Sequence, residues 1–128
     1  MTLRKPSKQA NLPADAGMTL LELIVVVAVV GILAAIAIQQ FQLHRARAID
    51  ASMRSDLKNA AMAMESYYGE FLEYPNTQAA ILLVGYRNTS GVSLTINVTT
   101  PSTFTLTAAR PNGSQVNFVY DSTTGLIN

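Results

Sequence analysis

The sequence predicts an α+β fold, with one long N-terminal helix packed on a small antiparallel sheet of three to four strands. Two observations carry this. Apolar residues recur at helical steps as far as Phe71, whereas from Val92 onward they alternate with polar ones. The 128 residues suffice for one modest domain with appendages.

The first seventeen residues, MTLRKPSKQANLPADAG, are polar, with Arg4, Lys5, Lys8 and two prolines. They predict a leader rather than a folded element (residues 1–17). An apolar segment follows, GMTLLELIVVVAVVGILAAIAI, in which residues 23–38 carry no hydrogen-bonding side chain. As a helix, residues 18–38 would extend about 31 Å, close to the thickness of bilayer hydrocarbon. A helix buried in a soluble core does not account for it, because about ninety other residues cannot surround a segment that is apolar on every face. A secretory signal would have a shorter apolar stretch and a small-residue cleavage site. The basic residues flanking the segment, three before and four soon after it (Arg45, Arg47, Arg54, Lys58), do not set its orientation. The larger domain lies beyond the segment and would cross largely regardless of charge, which favours a cytoplasmic N-terminus.

Residues 39–69 predict the amphipathic half of the same helix. Ile49, Met53, Leu57, Ala60, Ala61, Met64, Tyr67, Tyr68 and Phe71 fall within an arc of about 120°, and Asp56 falls among the polar residues outside it. No proline interrupts the chain between Met18 and Tyr74, and Gly69 offers a stop. Residues 70–91 predict a connecting loop with one short helix starting near Asn76 or Thr77. Residues 92–128 form the strand region. Val92, Leu94, Ile96 and Val98 alternate with polar residues, as do Phe104, Leu106 and Ala108, then Val116, Phe118 and Tyr120. TTPS and RPNGS separate these runs, and Asn112-Gly113 is a hairpin signal. Three strands with one apolar face need a cover, and the stripe from Ile49 to Phe71 supplies it.

Glu22 is the one ionisable residue between Leu20 and Ile38. Thr19-x-x-Glu22 has capping-box spacing. A carboxylate in the first turn also complements the helix dipole. Alternatively, a charge inside a membrane segment costs about 2.5–3.5 kcal/mol at the centre and marks a function that needs a partner.

The segment GMTLLELIVVVAVVGILAAIAI resembles the N-terminal signature of type IV pilins and pseudopilins, position by position. RSDLKNAAMAMESYYGEFLEYPNT and VYDSTTGLIN are similar to pilin sequence, less distinctively. The resemblance implies a pilin-like fold and a class III leader cut by a prepilin peptidase between Gly17 and Met18. The same enzyme would then N-methylate Met18. It implies that Glu22 of one subunit meets the Met18 amine of the next, and that Gly31 is a point of helix flexibility. It further implies a homo-oligomeric helical filament built by an inner-membrane assembly platform with its ATPase, an outer-membrane secretin, and roles such as motility or adhesion. The precursor would sit in the inner membrane as a single-pass, N-in protein before reaching the cell surface. Two departures stand out. Met18 replaces the usual phenylalanine, and Gln39 stands where a helix-kinking proline is usual, leaving Gly31 as the main weak point, at about 1 kcal/mol relative to alanine.

Other chemistry finds little support. His44 is the sole histidine and there is no cysteine, so neither a metal site nor a catalytic triad is expected, and no cofactor or enzymatic activity. After Glu73 the sole acidic residue is Asp121, too few for the calcium site of the major pseudopilins of type II secretion. A formal net charge of +1 with no basic cluster gives no reason to expect nucleic acid as a partner. Phe41, Tyr67, Tyr68, Phe71 and Tyr74 are expected to serve packing rather than conduction. Two other readings share these features: a minor pilin or pseudopilin of a secretion or DNA-uptake system, and a monomeric membrane-anchored binding domain.

Overall fold

A computed structural model of the chain describes residues 18–128. The leader expected over residues 1–17, and with it Gly17, lies outside the described residues. The element order is α1 (Leu20–Phe71), α2 (Gln78–Leu83), β1 (Ser93–Thr100), β2 (Thr103–Ala109), β3 (Asn117–Asp121) and β4 (Leu126–Ile127). Two compact units divide the chain, one ending at Ile36 and the other running from Ala37 to Asn128.

In the first unit every described side chain is exposed. Aliphatic residues on all sides of a helix leave no polar face to present to water, and this composition suits lipid or the stalks of other copies. Among the described residues, α1 is the helix long and apolar enough to cross a membrane. It runs through Gln39 without interruption.

In the second unit α1 becomes one-sided. Ile49, Met53, Leu57, Ala60, Ala61 and Met64 are buried, as the periodicity predicts. Asp56 is buried too, a correction to the sequence reading. Phe71 is another: it retains 52% exposure where the stripe placed it inward. The helix ends two residues beyond Gly69, with Leu72 taking a φ of 58° and donating its N–H to Tyr68 O at 2.8 Å. This left-handed residue satisfies one of the last carbonyls.

The sheet is a four-stranded antiparallel meander in chain order. Register pairs Leu94 with Ala108, Ile96 with Leu106 and Val98 with Phe104, then Leu106 with Tyr120 and Ala108 with Phe118. The alternation of β-strand side chains therefore gathers all these residues on one face. That face and the stripe on α1 form one core, to which Ile81, Tyr86 and Val92 also belong. At about 25 cal/mol per Å² of apolar surface buried, this is the main source of the domain's stability.

The short helix α2 lies where the loop reading placed it, with Thr77 as N-cap. It closes in a Schellman motif, Tyr86 N–H to Ile81 O at 3.1 Å and Gly85 N–H to Leu82 O at 3.2 Å. Gly85 has a φ of 91°, which glycine tolerates at no steric cost.

The Asn112-Gly113 signal led to the wrong turn. Residues 110–116 form a longer connection instead of a two-residue hairpin, and Val116, expected to face the core, is 78% exposed outside β3. Asn112 does adopt a positive φ of 68°. Gly113 is required for a different reason. A Cβ there would lie 2.6 Å from Asp50 Oδ1 and 2.9 Å from the Gln115 carbonyl oxygen, because the loop rests directly on α1.

Candidate functional site

Thr19 and Glu22 form the capping box that their spacing allows. Glu22 Oε2 accepts from the Thr19 N–H and hydroxyl, both at 2.9 Å, and the Glu22 N–H donates to Thr19 Oγ1 at 3.2 Å. The first intrahelical bond, Leu23 N–H to Thr19 O at 3.2 Å, fixes Thr19 as the N-cap. Met18, Leu21, Glu22, Val25 and Val26 lie along one side of this end of the chain. The residues singled out as Met18 and Glu22 are therefore neighbours, four apart, and both are exposed. A carboxylate has about four acceptor positions, so the reciprocal cap leaves Glu22 able to accept a further donor. Gly31 is exposed, and a Cβ there would meet nothing within 4 Å.

Two helix carboxylates missed by the sequence reading hold the rest of the domain together. Asp56 receives the Thr89 N–H and hydroxyl, each at 2.9 Å. Asp50 receives the Ser114 N–H at 2.9 Å and the Ser114 hydroxyl. Each aspartate takes both donors of a single Ser or Thr and so pins a loop onto α1. Charge-assisted bonds of this kind are roughly twice as strong as neutral ones. The available signal for Asp56 was its nearness to the stripe: seven positions after Ile49, it lies only about 20° outside the core-facing arc. Asp50 follows Ile49 directly and falls by angle within that arc, but no local pattern announces its partner 64 residues away.

Tyr86 sits 3% exposed, and its hydroxyl oxygen is buried without a hydrogen-bond partner. Burial, with the Asp56 charge as a lesser cause, pushes its phenol up to about 12. Tyr74 is raised as well, first by burial and then by donating to Glu65, at 3.1 Å to Oε1. Its ring stacks on Tyr68 and tilts against Phe104, with centroids at 4.7 and 4.8 Å. These aromatics serve packing, within the geometry at which aromatic pairs attract. Among the described residues, no group of three His, Asp or Glu could hold a metal ion.

Residues 12–38 match the prokaryotic N-terminal methylation motif. Over 99 residues the chain is 30% identical to the type IV wide pilus major component PilA4 of Thermus thermophilus, covering 77% of this chain and 76% of that protein. The chain belongs to the type IV pilins. It is also 43% identical over 58 residues to the type IV major pilin protein PilA of Myxococcus xanthus. That match covers 45% of this pilin and only 26% of the relative's length. Pilins are structural proteins, in keeping with the sequence reading that gave this chain no enzymatic role.

Proposed function

We propose that this pilin is the structural subunit of a type IV pilus-like surface filament, active after its leader is removed. The supporting observation is the stalk. Aliphatic side chains are exposed all around the helix up to Ile36, while the second unit has a complete core of its own. Such a stalk suits a membrane before assembly and a bundle of identical stalks afterwards. Both relatives are named as major components, which supports the same role here.

Cleavage after Gly17 by a prepilin peptidase would turn the Met18 nitrogen from an amide into an ammonium, and methylation would leave it charged. Lipid tails and neighbouring stalks are similarly apolar, so transfer from membrane to fibre gains little from hydrophobicity. Register then depends on packing and on neutralising charge. Glu22 of one subunit paired with the Met18 ammonium of the next supplies a desolvated pair that a misplaced subunit would leave broken. Thr19 pre-orients the carboxylate through the capping box. An N-in precursor in the inner membrane, an assembly platform with its ATPase, and a secretin complete the route. Gly31, with no proline at position 39, is where α1 would loosen in the fibre.

The test is Glu22→Gln, which keeps an acceptor for the cap but removes the charge. The variant should accumulate in the membrane, processed and folded, with sheared filaments reduced at least tenfold, which corresponds to about 1.4 kcal/mol. Filaments at the normal level would refute the pairing.

A further inference from the structure

Beyond the aliphatic run, α1 opens on a basic stretch without an acid. Between Glu22 and Asp50 the sequence carries His44, Arg45 and Arg47 but no aspartate or glutamate. Asp50 itself accepts both donors of Ser114. Arg45 stands seven residues past Ile38, the last residue of the run, which is about 10 Å along the helix. A bilayer adds a headgroup layer of about 5–8 Å to each side of its hydrocarbon. Helix side chains lean toward the N-terminus, so the long stem of exposed Arg45 carries its guanidinium back toward that layer. Phe41 and Leu43, both exposed, fill the interval with apolar surface.

Arg45 does not stand alone. With Gln42, one turn before it on the same side of α1, and with Asn112 it lines a depression of about 340 Å³. Asn112 is brought there by the 110–116 loop, which the Ser114 bonds to Asp50 and the close approach of Gly113 fix onto the helix. Other segments meet α1 further along: Thr89 at Asp56 and Tyr74 at Glu65. This loop is thus the part of the strand region that meets α1 nearest to Ile38. A guanidinium and two side-chain amides all offer N–H donors, the set that suits a phosphate.

We infer that Gln42, Arg45 and Asn112 form a seat for the phosphate of a phospholipid headgroup, on which the domain rests while the subunit is stored in the membrane. The inference rests on the filament reading, because that reading puts the stalk in a bilayer before assembly. A free phosphate would meet the same donors. The position of the seat favours the lipid: a stalk that spans the hydrocarbon as far as Ile38 holds Arg45 at the depth where lipid phosphates are concentrated. Anionic headgroups add an attraction for Arg45 and Arg47 that fades within a Debye length of the surface. The contact sets the depth and tilt of a waiting subunit, and extraction into a filament has to break it.

The test uses the full chain reconstituted in bilayers of phosphatidylcholine and phosphatidylglycerol. With carbon-13 in the arginine guanidinium groups, solid-state NMR should show a carbon within about 5 Å of phosphorus, and Arg45→Gln should remove that signal. Amide exchange over residues 110–116 should be about fivefold slower in these bilayers than in dodecyl maltoside micelles, which carry no phosphate. Arg45→Gln should abolish the slowing, whereas Lys58→Gln, about 20 Å further along α1, should leave it intact. Arg45 is exposed, so its replacement spares the core. A phosphorus contact that survives Arg45→Gln unchanged, or loop exchange at the micelle rate, overturns the inference. Equal slowing when inorganic phosphate is added to the micelles reveals a site for a free anion and overturns the lipid seat. These outcomes leave the filament reading standing. Free exchange of residues 23–36 with water in the bilayers would instead refute the membrane-stored subunit on which that reading depends.

Discussion

Leu33 and Leu57 occupy the same helix, yet Leu33 leaves 60% of its surface exposed and Leu57 none. Around Leu57 a sheet, a short helix and two loops have been recruited to cover the apolar stripe. Around Leu33 none of the described residues does so. The same side chain is a finished contact in one unit and an unfinished one in the other. A helix that stays apolar on all faces beside a domain that has closed its own core requires an apolar surrounding from elsewhere, lipid first and then other copies.

The most forceful way to probe this contrast is to make the same truncation on both sides. Leu57→Ala should destabilise the domain by about 2–5 kcal/mol, through lost transfer energy and the cavity left behind. Leu33→Ala should shift the same unfolding transition by less than about 0.5 kcal/mol. Thermal unfolding of the full chain in detergent, followed by tyrosine near-UV circular dichroism, measures both. Equal effects would mean that the stalk and the domain are one cooperative structure.

A smaller effect distinguishes the two loop clamps. Asp56→Ala removes both bonds to Thr89 from a buried position and should cost about 2–3 kcal/mol. Asp50→Ala, in a more exposed place, should cost about 1 kcal/mol. The same melts report these differences.

The smallest effect is confined to high pH. The Tyr86 phenol is raised to about 12 by its burial, above the value near 10 of an unfolded tyrosine. Its contribution to stability is therefore complete below pH 10 and is lost as pH rises toward 12, because the unfolded state releases the proton first. Absorbance titration of phenolate should show Tyr86 as the last of the five tyrosines to ionise. Tyr86→Phe should remove that late step and flatten the decline in stability.

Most of the architecture was readable from periodicity. The step of three and four from Ile49 to Met64 and the alternation from Leu94 to Phe118 are direct imprints of burial on sequence. What failed to read were features set by contacts between distant segments. Asn112-Gly113 has the composition of a tight hairpin, but Gly113 is there because the loop lies against Asp50 and Ile49. Asp56 is polar and was placed outside the core, although Thr89 satisfies it within the core. Phe71 kept the helical rhythm beyond the end of the sheet's cover. At the N-terminus, the spacing of Thr19 and Glu22 gave the capping box correctly. Spacing alone does not distinguish a cap from an assembly pair, because the same carboxylate can serve both.

The central claim is that cleavage makes the apolar stalk a polymerising element. Intact-mass measurement of this pilin in sheared surface material and in inner membrane from its own host tests it most directly. The account predicts an abundant surface species comprising residues 18–128 with a methylated amine. A chain found only in the membrane with its leader still attached would contradict it.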